Sequence, residues 1–209
     1  MNVNRLVLPE ILDELDAMDQ RAIRSRRDLR LVNWFMRGEA WILRQLEKMP
    51  VVERVVELGA GSGYLAKSIH ACWPELEVVC VDRTPRPEHL DSRISWWQGD
   101  VFDYNGYDGN TVVVTNLFLH HFEAQQLEQL GSKMRGVRAL LAAEPYRGTM
   151  SLLMGRCLFP FVNDVTRHDM AVSIGAGFRT GELAMMLGMD LDWLECRGFF
   201  GGIRMSGGI

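Results

Sequence analysis

Apolar positions fall into three regimes along the chain. Between Pro9 and Met49, the residues Leu31, Trp34, Phe35, Trp41, Ile42, Leu46 and Met49 recur mostly at three- and four-residue steps, the spacing of one helix face. This predicts an N-terminal helical segment, which Pro50 interrupts. Beyond it, short apolar runs predict strands at 54–58, 77–81, 94–98, 111–115 and 138–144. Three of the first four intervals between them are too long for hairpin loops, and the first and fourth carry helical patterns, so parallel βαβ units are the economical arrangement. After Glu144 the rhythm breaks into an insert near 146–180 without strand signal, followed by a helical pattern from Gly181 to Leu187. Two final runs, LDWLECR and GFFGGIRMSG, are joined through glycine and predict a closing hairpin. The expected fold is therefore α/β, a doubly wound, seven-stranded, mostly parallel sheet with an antiparallel C-terminal hairpin strand. A helical cap would come from residues 1–50 and from the insert within a main domain spanning 51–209.

The first predicted strand ends in ELGAGSGYLAKSIH, with glycines at alternate positions before a helix. Such a turn brings a ligand close to backbone where a Cβ would intrude, and the helix that follows offers its first amides. The dinucleotide fingerprint fits only if its frame slides to Gly61, Gly63 and Ala66, whereas acidic-x-Gly-x-Gly-x-Gly fits directly as Glu57, Gly59, Gly61 and Gly63. Here the sequence resembles the class I S-adenosylmethionine-dependent methyltransferases of small-molecule type. Asp82 ends the second strand, Asp100 and Val101 follow the third, and Asn116 follows the fourth, all at the carboxyl edge where open α/β sheets bind ligands. The resemblance covers roughly 51–145 and implies S-adenosylmethionine as cofactor. It would be held by Glu57, Gly59, Ala60, Gly61, Gly63, Asp82, Arg83, Asp100, Val101 and Asn116, with Asp82 on the ribose, Asp100 on the adenine amino group, Val101 on the ring and Asn116 near the methionine part.

The acceptor is less legible. His120 and His121 follow the fourth strand, and an imidazole is a suitable base for a phenol or an activated carbon acid. Adjacent residues point in different directions, so one of the two is expected to reach the substrate, with a slight preference for His120. In the insert, Arg167, His168 and Asp169 could supply a second base oriented by a carboxylate, or simply begin a helix. The run after the fourth strand is NLFL rather than the Asn/Asp-Pro-Pro-aromatic pattern of methyltransferases acting on nitrogen, and it lacks the clustered carboxylates of divalent-metal catechol enzymes. No metal site is expected. Oxygen, ahead of carbon, of a small aromatic or polyketide-like metabolite is the expected acceptor. Trp34, Phe35, Trp41, Phe159, Phe161 and Phe178 could line its pocket, or serve as ordinary core. A nicotinamide-dependent oxidoreductase and a non-catalytic module that binds a protein partner are the alternatives.

Composition narrows the partners. Net charge is −4 over 209 residues, which disfavours a nucleic-acid substrate. Arg21, Arg24, Arg26, Arg27 and Arg30 concentrate positive charge in one stretch, either a solvated helix face or a patch for an anionic partner such as an acyl carrier protein. Cys72, Cys80, Cys157 and Cys196 show neither metal nor disulfide spacing, and four free thiols suit a reducing cytoplasm. No run approaches the length of a membrane span or an export signal.

Overall fold

The computed structural model describes residues 4–16, 18–198 and 200–208. Seven strands form one sheet: β1 Arg54–Leu58, β2 Glu77–Asp82, β3 Ser95–Gln98, β4 Thr111–Asn116, β5 Ala139–Pro145, β6 Trp193–Arg197 and β7 Gly202–Gly207. Their order is β3-β2-β1-β4-β5-β7-β6. The first five pair in parallel, and β7 runs antiparallel between β5 and β6. Every predicted strand is present within one or two residues of its expected bounds, and the closing hairpin is β6 and β7.

Alternation along the strands builds two cores. Val55, Val112, Val114 and Leu141 face one way, against Trp41 and Ile42 of α3 (Gly38–Lys48) and Leu65 and Ile69 of α4 (Tyr64–Cys72). Val56, Leu58, Val113 and Leu140 face the other way, against Leu127 and Leu130 of α5 (Ala124–Lys133) and Leu183 and Leu187 of α8 (Glu182–Leu187). Period-two burial on both faces is what a parallel sheet wrapped by crossovers requires. The connections at 83–94 and 99–110 cross without a helix.

The N-terminal helical segment is three helices: α1 Ile11–Glu14, α2 Gln20–Met36 and α3. The chain becomes extended at Leu15, Asp19 caps α2 by accepting the Arg21 amide at 2.7 Å, and Arg37 turns the chain into α3 in the left-handed region at φ 56°. α3 belongs to the sheet's own helical layer. α1 and α2 pack instead on α7 (Asp164–Ala176), which also contacts α6 (Thr149–Arg156), so these four helices lie together as a cap. Among the described residues, no helix is long and apolar enough to cross a membrane.

α5 and α8 approach so closely that a Cβ on Gly131 would stand 1.9 Å from the Leu187 carbonyl oxygen, backbone that cannot swing aside. Gly131→Ala is therefore expected to cost about 2–4 kcal/mol despite alanine's better helix propensity, read as a lowered midpoint in urea unfolding at unchanged slope.

Candidate functional site

A cavity of about 670 Å³ lies between the carboxyl edge of the sheet and the cap. On the sheet side it is lined by Glu57, Gly59, Ala60, Gly61 and Asn116. The turn after β1 holds Gly59 at φ 68° and Gly61 at φ 52°, conformations that side chains disfavour. A Cβ on Gly59 would stand 2.2 Å from Phe118, whereas one on Gly61 would enter open space. The first glycine thus lets the turn nest against the β4 loop, and the second leaves room for a ligand. Gly63 ends the turn as the residue before α4.

Asp82 is drawn into this turn. Its Oδ2 accepts the Gly61 amide at 2.7 Å, and its Oδ1 accepts the amide and hydroxyl of Thr84 at 2.8 and 2.7 Å. Arg83, exposed, donates to Asp100 Oδ2, while Asp100 Oδ1 takes the Phe102 amide at 3.1 Å. Partial burial opposes ionisation of Asp100, but the Phe102 amide and Arg83 hold its carboxyl below the usual range. Val101 is buried with the second core. Asp82, Arg83, Asp100 and Val101 flank the cavity rather than line it, so the structure brings together half of the ten residues assigned to the cofactor, sets these four along the adjoining β2 and β3 edge and leaves Gly63 at the start of α4.

Three acceptors converge near Asn116. Its Nδ2 donates to Asn33 Oδ1 at 3.2 Å, and Asn33 Nδ2 donates to Glu39 Oε1 at 3.4 Å. Asn116 Oδ1 is buried and has no hydrogen-bond partner. Burial pushes the Glu39 carboxyl up, and burial together with the Glu39 charge pushes the Glu57 carboxyl up to about 8. This acceptor set suits a ligand's ammonium.

The three candidate histidines occupy different environments. His120 is buried; its Nδ1 lies 2.7 Å from Glu144 Oε2 and its Nε2 lies 3.6 Å from Glu10 Oε1. Burial opposes a charge on this ring, yet Glu10 and Glu144 outweigh it and raise its pKa to about 9. His121 lines the cavity half-buried, 4.0 Å by its Nδ1 from Asp13 Oδ2, and burial beside the charged His120 lowers its pKa. His168 does not line the cavity. Its ring is exposed against Asp169 at 3.0 Å; Asp169 lines the cavity but accepts the amides of Ile11 and Leu12 at 2.8 and 3.0 Å, so its carboxylate anchors α1 while the imidazole stays outside. Both histidines line the cavity, but both ring nitrogens of His120 face carboxylates. Of the six aromatics considered for the pocket, Phe35 alone lines it; Trp41 and Phe178 are core, and Trp34 and Phe161 are exposed. Methionines 36, 154 and 170 with Leu158 and Ile174 supply the apolar lining in their place.

No family model matches the chain. Over 136 residues it is 24% identical to the malonyl-acyl-carrier protein O-methyltransferase of Anoxybacillus flavithermus, a stretch covering 61% of this chain and 52% of that protein. The chain thus spans about half the length of this curated relative. Among solved structures, the plantazolicin methyltransferase BpumL in complex with a monoazolic desmethylPZN analog and SAH superposes with a TM-score of 0.71 at 15% identity, over 91% of this chain and 90% of that one. The pyocyanin biosynthetic protein PhzM gives 0.64 at 16% identity, over 95% and 61% of the two chains. Human N-acetylserotonin methyltransferase in complex with SAM gives 0.54 at 14% identity, over 93% and 60%.

The fold is that of the class I methyltransferases. Within this methyltransferase fold, sequence reasoning missed Glu10, Asp13, Glu39 and Glu144. Glu144 was open to the same reading as Asp82, a charged residue closing an apolar strand. Glu10 and Asp13 carry no such signal, being about 110 residues from the histidines they meet.

Because folding raises the pKa of Glu57 above its unfolded value near 4.5, the stability it contributes is complete below that pH and falls as pH rises through about 8. Glu57→Gln, which stays neutral, should therefore gain stability over the parent between pH 5 and pH 8.5, by on the order of 4 kcal/mol at the upper end. Thermal unfolding of both proteins without cofactor across that range checks it; a constant difference would show that Glu57 is ionised throughout.

Proposed function

We propose that this protein transfers the sulfonium methyl group of S-adenosylmethionine to an oxygen of a small aromatic or polyketide-like metabolite. The observation that carries the reading is a single cavity shared by the glycine turn with Glu57 and Asn116 and by His120, His121 and Glu10. Donor and acceptor can therefore meet in one space, and alignment is most of what this reaction asks of a protein.

The residues fit the cofactor. The unpartnered Asn116 Oδ1, with Glu57 and Glu39, would hold the ammonium of its methionine part, and the open side of Gly61 admits it against the backbone. Asp82, Asp100 and Val101 are assigned to ribose and adenine along the β2 and β3 edge. When bound, S-adenosylmethionine supplies an electrophilic methyl whose carbon–sulfur bond breaks toward sulfur as the acceptor oxygen bonds to carbon. The apolar wall of methionines 36, 154 and 170 excludes water and accommodates a flat or flexible acceptor. His121, with Asp13 behind it, faces the cavity and receives the acceptor's proton. Glu144 holds His120 and the loop that presents His121.

Labelled S-adenosylmethionine and a panel of phenols, enols and carboxylic acids test this directly: the protein should label an oxygen of at least one class. His121→Ala should lower kcat by about 100-fold while calorimetric binding of S-adenosylhomocysteine is kept. Label on carbon or nitrogen alone, or full activity in this variant, would contradict the assignment.

Delivery of the acceptor on a carrier protein rests on a separate observation. The exposed arginines of α2 run from Arg30 at the cavity to Arg24 and Arg27, which with Phe161 form a smaller surface hollow. Such a basic face complements an acidic helix. Reversing Arg24 and Arg27 to Glu should reduce kcat/KM about tenfold for a carrier-bound acceptor and leave the same acceptor, supplied free, unaffected; equal loss for both would remove the carrier from the proposal.

A further inference from the structure

The cap side of the cavity holds a group of side chains with a second kind of chemistry. Glu10, His120 and His121 each offer one ligand atom, and these atoms lie within 4.8 Å of one another. We propose that these three residues bind a divalent transition-metal ion of the zinc or iron(II) type. The inference rests on the methyl-transfer reading only for what the ion does, since the donor geometry stands apart from it.

The spacing is the first argument. Glu10 Oε1 and His120 Nε2 are 3.6 Å apart, beyond a good hydrogen bond but close to the separation of about 3.4 Å that two donors adopt when each lies about 2.1 Å from a tetrahedral ion. The support behind the donors is the second. His120 Nδ1 is held by buried Glu144 at 2.7 Å, which leaves Nε2 directed at Glu10, and a carboxylate behind the far ring nitrogen is the arrangement that orients a metal-binding imidazole. Glu10 is itself steadied by the Ser173 hydroxyl. The third is charge: Asp13 and Asp169 add carboxylates on the same side, so the group accepts a dication without a counter-ion.

Two imidazoles and one carboxylate favour zinc, iron, manganese or cobalt over magnesium or calcium, which prefer oxygen. Three protein donors leave a coordination position open to the cavity. An acceptor hydroxyl or enol bound there would lose its proton at neutral pH, with Asp13 as the neighbouring acceptor once His121 is engaged as a ligand. This would restrict acceptors to those with an oxygen able to ligate an ion, and the metal ion with Asp13 would take over from a metal-free His121 the task of making that oxygen nucleophilic.

The full chain, stripped with a chelator, is titrated with Co(II) and followed by its visible d–d bands, and with Zn(II) by calorimetry. One ion per chain is expected, with affinity falling at least tenfold in Glu10→Gln and in His121→Gln. His168→Ala, whose ring lies outside the cavity, should bind as the parent does. His120 is left intact because its removal would strand buried Glu144 without a partner. Absence of Co(II) bands, or parental affinity in both ligand variants, overturns the metal site. Parental methyl transfer by the chelator-stripped protein overturns the ion's role while leaving methyl transfer standing. The expected binding with no labelled product from any acceptor class overturns methyl transfer and leaves the metal site supported.

Discussion

Much of the histidine side of the cavity hangs on one buried carboxylate. Glu144, at the end of β5, takes the amides of Phe118 and Leu119 on Oε1 at 3.0 and 2.9 Å and the His120 ring on Oε2 at 2.7 Å. It is 1% exposed, so each of these donors meets it in a medium that makes an unmade bond costly. Burial resists its charge, but His120 and the loop amides hold its carboxyl below the ordinary range. The short 3₁₀ turn at Leu119–His121 is thereby fastened to the sheet, and with it the orientation of both histidines. Phe118, fixed by the same bonds, is the surface against which the turn at Gly59 closes. The glycine-turn side and the histidine side of the cavity thus share one anchor.

The parts of this molecule written in short-range pattern were legible in its sequence. Strand positions follow from apolar runs of four to seven residues, and the glycine turn from its spacing after β1. The two-sided core follows from alternation that parallel pairing makes obligatory. Two kinds of information were not legible. The division of the N-terminal helical pattern depends on Leu15, where the chain turns extended, and on Arg37, a non-glycine residue in the left-handed region whose neighbour Gly38 packs against Asn116, none of which a local propensity announces. The states of the histidines depend on Glu10 and Asp13, contributed by a segment remote in sequence whose position is set by Arg5 donating to the carbonyls of Ala176, His120 and Phe122. A pKa is a property of surroundings, and these surroundings are assembled only by the fold.

The His168 and Asp169 pair shows the same limit from the other side. In sequence it looked like an imidazole with its orienting carboxylate. In the fold the carboxylate caps α1, so the residue that mattered was the aspartate, as a fastener of the strap that carries Glu10.

The turn from α2 into α3 has a mechanical consequence. Gly38 sits so close beneath Asn116 that a Cβ there would stand 2.2 Å from Asn116 Oδ1, and Asn33, one turn earlier, holds the same side chain from above. α3 is rooted in the sheet's core while α2 forms the roof of the cavity, so the joint between foundation and roof is built around a single amide. The space before Asn116 therefore abuts the joint of the roof itself, so the sheet-side and cap-side walls of the cavity are built on one shared contact and a change at that amide alters both.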